Sequence, residues 1–144
     1  MGQDALIAVE PTPLETTLAQ VGDRWSLLVI DALLDGPRRF NELQSSVNGI
    51  ATNVLTDRLR HLSADSVVVA RPYSTRPVRY TYELTRAGHE LAGALRLLSQ
   101  WGSTHGTADA PVHTACGTAL EAHWYCPACD QTVEDAESSS VRYV

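Results

Sequence analysis

Residues 51–66, ATNVLTDRLRHLSADS, decide the fold because they read as one helix with two unlike faces. Leu55, Leu59 and Leu62 recur at helical spacing, which predicts that one face is anchored in a core. The segment is therefore expected to lie at the surface and to present a polar face to a partner. That opposite face carries side chains able to form hydrogen bonds: Thr52, Asn53, Thr56, Asp57 and Arg60.

Helix and strand signals on both sides place this helix in a larger pattern. Thr12, Asp23, Asn41 and Thr85 each stand where a side-chain cap is expected at the start of a helix. Alternating apolar residues predict two strands joined by a polar hairpin. The predicted elements are helices from 13 and from 24 to about 34, a short strand at 38–40, helices at 42–47 and 51–64, strands at 67–73 and 78–84, and a last helix from 86 to about 105.

This order is that of a winged helix-turn-helix, a mainly α fold with a small β-wing (α+β). A helix is about as wide as the DNA major groove and can lay one polar face against base edges. The face that carries Thr52, Asn53, Thr56 and Arg60 suits that contact, and Arg58 and His61 beside it are expected to meet phosphates. The remaining candidates for DNA contact are arginines of the wing and of the segment before the third helix: Arg76 at the hairpin tip, Arg79, Arg71 and Arg39.

Charged residues are unevenly distributed along the chain. A net charge of −6 over 144 residues argues against a nucleic-acid binder. Residues 36–80, however, contain seven arginines and three acidic residues, whereas the chain from Asp109 onward contains six acidic residues and one arginine. The middle of the chain is thus basic and the end acidic, and DNA binding by the middle remains the better prediction.

Composition also bounds the class of protein. A hydrophobic content of 44% with 19% charged residues is typical of a globular domain. No segment approaches the roughly 18 to 20 apolar residues of a transmembrane helix, and the N-terminus does not read as a secretory signal. We therefore expect no membrane partner and a cytoplasmic location.

Three segments resemble the HxlR-type winged-helix transcriptional regulators, over about residues 14–104: GDRWSLLVIDALLDGPRRFNEL, GIATNVLTDRLRHL and RYTYELTRAGHEL. They carry the patterns W-x-L-L, G-P-x-R-F-x-E-L, L-T-x-R-L-x-x-L and Y-x-L-T-x-x-G. The resemblance implies a homodimeric, sequence-specific regulator that binds double-stranded DNA at a palindromic operator. Regulators of this family often act as repressors or activators in responses to reactive electrophiles or oxidants.

Two positions depart from the family pattern. The family usually has serine where the recognition helix opens, but this chain has Ala51, so Thr52 is expected to cap the helix one residue later. The family tends to have glycine between that helix and the wing, but this chain reads Ala64-Asp65-Ser66. Neither departure changes the predicted fold, although both affect which side chain faces which base.

The last predicted helix carries two apolar seams, one more than it needs to dock on its own domain. The second seam predicts a homodimer with twofold symmetry, in which this helix packs against the first helix (residues 6–18) of the other chain. The alternative is a helix buried on two sides within one monomer. The seams are Leu91, Leu95 and Leu98 on one side, and Ala94, Leu97 and Trp101 on the other.

A small-molecule effector is left open by the sequence. Trp25, Tyr80 and Trp101 are candidates to line a pocket near the dimer helices. Aromatic residues in such positions more commonly belong to the core.

All three cysteines lie in the last quarter of the chain, in VHTACGT and HWYCPACDQ. His113 and Cys116 are three residues apart, as are Cys126 and Cys129, which gives the pattern H-x2-C-x9-C-x2-C. Two such pairs joined by a short connection are typical of a chain that wraps a tetrahedral Zn²⁺. We expect one structural zinc per chain, bound by these four residues in a small zinc-ribbon-like tail.

Other roles for these thiols stay open. Cys126 and Cys129, or either with Cys116, can form a disulfide on oxidation, which would make the tail a redox switch. Unligated cysteines on a loose tail are a third alternative. A zinc deaminase is the weakest alternative, because His113 lacks the glutamate two positions later that accompanies C-x-x-C in those enzymes. The chain is therefore not expected to be an enzyme.

The sequence thus predicts a regulator built from separate parts. The competing interpretation is a protein-interaction module that kept the winged-helix fold and lost DNA binding. The predicted parts are an N-terminal arm (1–11), a winged helix-turn-helix DNA-binding and dimerisation domain (12–105), a zinc-binding ribbon (106–133) and a flexible acidic tail (134–144).

Overall fold

The computed structural model describes residues 10–133, so the predicted acidic tail and most of the predicted N-terminal arm lie outside the described residues. The helices are α1 (Pro13–Val21), α2 (Arg24–Leu34), α3 (Phe40–Ser46), α4 (Thr52–Ala64), α5 (Arg86–Glu90) and α6 (Ala92–His105). The strands are β1 (Arg38–Arg39), β2 (Val68–Thr75), β3 (Val78–Leu84), β4 (Trp124–Cys126) and β5 (Gln131–Val133). This order confirms the predicted winged helix-turn-helix.

Side-chain caps begin α1, α2 and α5 at the predicted residues. Thr12 Oγ1 accepts a hydrogen bond from the Glu15 amide at 3.2 Å, and the Glu15 carboxylate accepts one from the Thr12 amide at 2.7 Å. This reciprocal pair is a capping box. Asp23 caps α2, and Thr85 Oγ1 accepts a hydrogen bond from the Gly88 amide at 3.2 Å at the start of α5.

The third helix starts earlier than the predicted cap, Asn41. Arg39 is the residue before the helix, with extended backbone angles (φ −76°, ψ 162°), and its amide donates to Glu42 Oε2 at 2.6 Å. Because the Glu42 carboxylate reaches back to this amide, α3 begins at Phe40 and Asn41 lies inside it. The Asn41 cap prediction is wrong.

One hydrophobic core joins the helices to the base of the wing. Half-buried Trp25, Phe40 and Tyr82 pack against it. This core fixes α4 between α2 and the sheet, which positions the face that points away from it. Its fully buried members include Val29, Ile30, Leu33, Leu43, Leu55, Leu62 and Val68.

The wing is a three-stranded antiparallel sheet in the order β1-β3-β2. Strands β2 and β3 pair from Val68 opposite Leu84 to Thr75 opposite Val78. Strand β2 therefore extends two residues further than predicted and leaves only Arg76 and Pro77 in the turn. The shorter turn places Arg76 at the tip of the hairpin, as the sequence indicated.

The connection from α4 to β2 turns at Ser66, whose φ of 58° lies in the left-handed region that favours glycine. Thr85 Oγ1 donates to the Ser66 carbonyl oxygen at 2.6 Å and so ties this turn to the start of α5. This left-handed backbone conformation explains why the family pattern has glycine between the recognition helix and the wing.

The last predicted helix is divided in two. Strand β3 is followed by the short α5, a break at Leu91, and then α6. Leu95 is buried, but Leu98, which was expected on the same docked seam, is 56% exposed. Leu98 therefore does not belong to the core seam, because that seam ends at Leu95.

The chain separates into two compact units, Met1–Leu95 and Arg96–Val144, and the boundary falls inside α6. The second unit contains the end of α6, an isolated antiparallel bridge between Val112 and Ala119, and the β4-β5 hairpin. In the described part of the chain, no helix is both long and apolar enough to cross a bilayer.

Candidate nucleic-acid interface

Helix α4 has the two faces that the sequence predicted. Leu55, Leu59 and Leu62 are buried in the core. The residues of the predicted reading face are all exposed: Thr52, Asn53, Thr56, Asp57 and Arg60. A helix anchored on one side by leucines can therefore present four hydrogen-bonding side chains and one carboxylate together.

The first turn of α4 is tied to α3 by a side chain that sequence reasoning missed. Gln44 Nε2 donates to Thr52 Oγ1 at 2.8 Å. Thr52 is the first helical residue, and Ala51 stands at the cap position with no side-chain hydrogen bond. The expectation that Thr52 caps the helix is therefore wrong. The Ala51 carbonyl already accepts from the Leu55 amide at 2.9 Å, so the helix begins at Thr52.

Arg58 joins α4 to the start of α2 instead of standing free. Its guanidinium contacts the Asp23 carboxylate at 3.2 Å and also pairs with Asp57. Asp23 in turn accepts hydrogen bonds from the amides of Trp25 and Ser26 at 3.0 Å. A phosphate contact by Arg58, which stays a prediction, would compete with both carboxylates.

The pKa values of these carboxyl groups follow from the same contacts. Partial burial raises the pKa of Asp23, but hydrogen bonds from the Ser26 hydroxyl and amide and from Arg58 outweigh it, and the pKa lies below its usual value. The hydrogen bond and charge of Arg58, with a smaller contribution from Arg60, lower the pKa of Asp57. Asp57 is thus ionised at neutral pH and partly neutralised by its arginine neighbours.

His61 lies in the last turn of α4, where its Nε2 is 3.3 Å from the Asp65 carboxylate. The side chain is exposed, and the contact holds the ring near the C-terminal end of the helix. His61 is therefore placed beside the reading face, as predicted, with one ring nitrogen engaged.

The wing arginines differ in how far they are neutralised. Arg71 pairs with Glu83 across the hairpin. The side chains of Arg76 and Arg79 are exposed, and neither makes a hydrogen bond or an ion pair with another described residue. Two of the three predicted wing arginines are thus available to an anionic partner, and the cross-strand register, which the sequence alone does not fix, separates them from Arg71.

A cleft of about 450 Å³ lies between the wing and the start of α3. The Arg39 guanidinium stacks over the Tyr73 ring, 4.5 Å from its centroid. Sequence reasoning singled out Arg39, Arg79 and Tyr80, but no spacing rule pointed to Tyr73, on which Arg39 stacks. The cleft is lined by Arg39, Phe40, Asn41, Tyr73, Val78, Arg79, Tyr80 and Tyr82.

A second cleft, of about 340 Å³, adjoins α4. Thr56 and Arg60 of the reading face contribute to it, and Phe40 and Tyr82 line both clefts. The shared residues place the polar face of α4 and the arginine-lined cleft of the wing next to each other. The part of the reading face that carries Thr56 and Arg60 therefore forms one continuous surface with the wing cleft.

The three aromatic residues considered for an effector pocket lie in different surroundings. Trp25 is half-buried and packs against the core, with Arg24 4.6 Å from its ring centroid. Tyr80 lines the wing cleft. In the second unit, Trp101 stacks on His105 at 4.5 Å between centroids.

The four predicted metal ligands occur as two separate pairs in the second unit. His113 Nδ1 lies 3.3 Å from Cys116 Sγ. Cys129 donates from its amide and its thiol to the sulfur of Cys126, which lowers the pKa of Cys126 and raises that of Cys129. Within residues 10–133, no three histidine, cysteine or acidic side chains are grouped closely enough to hold a metal ion.

The profile of the HxlR-like helix-turn-helix family matches residues 20–110, more than half of the chain. The chain belongs to this family. "Uncharacterized HTH-type transcriptional regulator YtcD" of Bacillus subtilis (strain 168) is 35% identical over 92 residues, which cover 64% of this chain and 73% of YtcD. "Uncharacterized HTH-type transcriptional regulator Rv3095" of Mycobacterium tuberculosis (strain ATCC 25618 / H37Rv) is 34% identical over 121 residues, covering 81% and 76%.

A solved structure shares the same fold. "Redox regulator HypR in its oxidized form" is 32% identical, with a TM-score of 0.60, and the similarity covers 65% of this chain and 96% of HypR. The chain is therefore a winged helix-turn-helix transcriptional regulator. Its relatives are regulators and not enzymes, which agrees with the prediction of no catalytic site.

Proposed function

We propose that this regulator binds a palindromic operator as a homodimer, with α4 in the major groove and the β2-β3 wing on the neighbouring backbone. The observation that carries the proposal is the continuous surface formed by the polar face of α4 and the arginine-lined wing cleft. Thr52, Asn53, Thr56 and Arg60 would contact base edges, since amide, hydroxyl and guanidinium groups are the side chains that read the major groove.

The contacts that each arginine makes support different roles in DNA binding. Arg76 and Arg79 carry charges that no described carboxylate neutralises, so they suit contacts with phosphates, which supply most of the affinity of DNA-binding proteins. Arg39 is held against Tyr73, and this stacking orders the guanidinium before it meets an anion. Arg58 already pairs with Asp23, so its main role would be to hold α4 in place.

Exposed apolar side chains support the homodimer. In α1, Leu14 and Leu18 lie one helical turn apart and are 63% and 54% exposed. In the second unit, Leu98 and Trp101 of α6 are exposed as well. A twofold mate would cover such surfaces, and a twofold dimer would present α4 to two matching half-sites.

If oxidants regulate binding to the operator, they would react with the second unit. HypR is described as a redox regulator. In the present chain, residues 2–115 contain neither cysteine nor methionine, so the family-matched domain has no sulfur that an oxidant can attack. The thiols of Cys116, Cys126 and Cys129 are therefore the proposed sites of oxidation.

The experiment is selection of bound duplexes from a random library, followed by titration of the selected duplex at several salt concentrations. We expect a palindromic sequence, two chains per duplex in sedimentation, and an affinity that falls steeply with salt. Arg60→Ala should cost about 1 to 3 kcal/mol and relax preference at particular bases, because a base contact is lost. Arg76→Ala should weaken binding to all duplexes alike and reduce the salt slope by about 1.

Arg86→Ala is the matched control, because Arg86 is an exposed arginine of α5 that pairs with Glu90 at 3.2 Å, away from both clefts. It should bind like the unmodified protein. Salt-independent or undetectable binding to every duplex would identify the chain as an interaction module. Unchanged affinity and preference in Arg60→Ala would show that α4 is oriented differently.

A further inference from the structure

The second unit contains two turns with the same backbone design. Knuckle 1 (His113–Thr118) closes with a hydrogen bond from the His113 amide to the Thr118 carbonyl at 2.8 Å. Knuckle 2 (Cys126–Gln131) closes where β4 pairs with β5, with Cys126 opposite Gln131. In both, the first and sixth residues pair antiparallel and the chain reverses between them.

The two knuckles also agree in the residue that makes the reversal. Gly117, with φ 70°, follows Cys116, and Asp130, with φ 54°, follows Cys129. A left-handed residue directly after the last cysteine of each knuckle thus reverses the chain at the same point. The sequence showed the equal spacing of the ligand pairs, but the equal backbone register is visible only in the structure.

Knuckle 1 brings its two side chains to a distance that suits one metal ion. Nδ1 of His113 and Sγ of Cys116 are 3.3 Å apart. With Zn–N and Zn–S bonds of about 2.0 and 2.3 Å, two ligands of a tetrahedral zinc lie about 3.5 Å apart. In knuckle 2, the amides of Ala128 and Cys129 donate to the sulfur of Cys126. These hydrogen bonds, together with one from the Cys129 thiol, hold the two cysteines of knuckle 2 next to each other.

The second unit lacks the burial that would otherwise hold two short hairpins. None of the described residues from 96 to 133 is buried. A segment this small without a core generally needs a disulfide, a metal ion or a partner to be ordered. Three cysteines and one histidine arranged in two two-ligand turns provide the donor set of a closed structural zinc site.

We propose that knuckle 1 and knuckle 2 together bind one Zn²⁺ per chain, through His113, Cys116, Cys126 and Cys129. Each knuckle contributes half of the tetrahedron, and the ion joins them. The histidine ligand atom is Nδ1, since this nitrogen faces Cys116. The four ligands leave no position for water, so the site is structural and not catalytic.

The test uses the full chain, purified under reducing conditions, with its metal content measured by mass spectrometry and Co²⁺ as the spectroscopic probe. We expect one zinc per chain. Cobalt should give the intense visible bands of tetrahedral coordination and near-ultraviolet thiolate bands, and zinc should displace it. Cys116→Ser and Cys129→Ser should each weaken zinc binding by at least the roughly 10- to 100-fold that loss of a ligand's hydrogen-bond partner costs, because either change removes a thiolate.

Histidine variants separate the proposed site from binding by stray side chains. His113→Ala should lose affinity as the cysteine variants do, whereas His113→Cys should restore it by supplying a fourth thiolate. His123→Ala is the control, since His123 lies outside both knuckles and contacts Glu121 at 3.5 Å. A melting transition of the first unit in each variant would verify that the chain has folded.

Three results would overturn the proposal. Metal-free protein whose thiols all react at micromolar zinc would show that the knuckles do not bind the ion. Half a zinc per chain would place the ion between two chains. An unchanged cobalt spectrum in His113→Ala would remove knuckle 1 from the site.

Discussion

The two units of this chain are held together in different ways. Among the described residues of the first unit, fourteen hydrophobic side chains are buried in one cluster, and the buried Ser26 hydroxyl is hydrogen-bonded. In the second unit, none of the described side chains is buried, and Leu120, Trp124 and Tyr125 are all exposed. The first unit can therefore be stable through burial, whereas the second depends on local hydrogen bonds and, on our proposal, on zinc.

The difference has a consequence for function. The reading face and the wing cleft are built on the unit with the core, so their geometry is supported by packing. The thiols, which are the groups most sensitive to metal and oxidants, lie on the unit without one. A unit whose order depends on a ligand can be ordered or disordered by that ligand alone. The chain thus separates a stable DNA-binding surface from a chemically responsive segment.

The largest expected effect comes from removing the same side chain in each unit. Leu62→Ala should lower the free energy of unfolding of the first unit by about 2 to 5 kcal/mol, because Leu62 is fully buried and alanine leaves a cavity. Leu120→Ala, in the second unit, should change the free energy of unfolding by less than about 0.5 kcal/mol, because Leu120 is 42% exposed. Urea denaturation followed by circular dichroism measures both. Equal losses would mean that the two units do not differ in the way described.

A smaller effect is expected at the polar junction of the first unit. Asp23→Ala removes the cap of α2 and leaves the buried Ser26 hydroxyl and Arg58 without their carboxylate. The loss should be about 2 kcal/mol at neutral pH, from one helix cap and one buried hydroxyl. Because the folded pKa of Asp23 is lowered, its stabilising effect is complete above about pH 4 and declines as the pH falls through the folded value.

The gap in stability between the unmodified protein and Asp23→Ala should therefore narrow in acid. Glu10→Ala is the control, since Glu10 is an exposed carboxylate outside the core. Denaturant titrations at pH 7 and pH 3 measure the gap. A gap that widened toward pH 3 would contradict the assignment of Asp23 as an ionised cap.

The fold was predictable from the sequence because its signals are local. Caps at Thr12, Asp23 and Thr85 and the leucine spacing of α4 each depend on residues within one or two turns. The pattern T-x-x-G has a local cause at its threonine, because Thr85 caps α5. Its glycine depends on a distant contact, because a Cβ on Gly88 would lie 2.4 Å from the Val67 carbonyl oxygen.

The sequence could not show the contacts that depend on distant residues. The ion pair between Arg58 and Asp23 could not be predicted, because the two residues are 35 positions apart in sequence. Arg71 was grouped with Arg79 because only the strand register shows that Glu83 neutralises one and not the other. The clefts beside α4 and the wing depend on Tyr73 and Tyr82, and their position is set by the pairing of the strands.

The smallest effect is expected at the turn between the reading helix and the wing. Ser66 holds a φ of 58°, which costs a residue with a Cβ about 1 to 2 kcal/mol relative to glycine. Glycine also loses about 0.4 to 1 kcal/mol more entropy on folding. Ser66→Gly should therefore stabilise the first unit by about 0.5 to 1 kcal/mol, measured by urea denaturation.

Ser66→Ala is the matched control for this turn, because alanine removes the hydroxyl but keeps the Cβ that causes the strain. It should give no stabilisation. The second unit offers a direct contrast, since Gly117 already occupies the left-handed position of knuckle 1 with φ 70°. If Ser66→Ala stabilised the protein as much as Ser66→Gly, the gain would come from loss of the hydroxyl, and backbone strain at Ser66 would not limit the stability of the first unit.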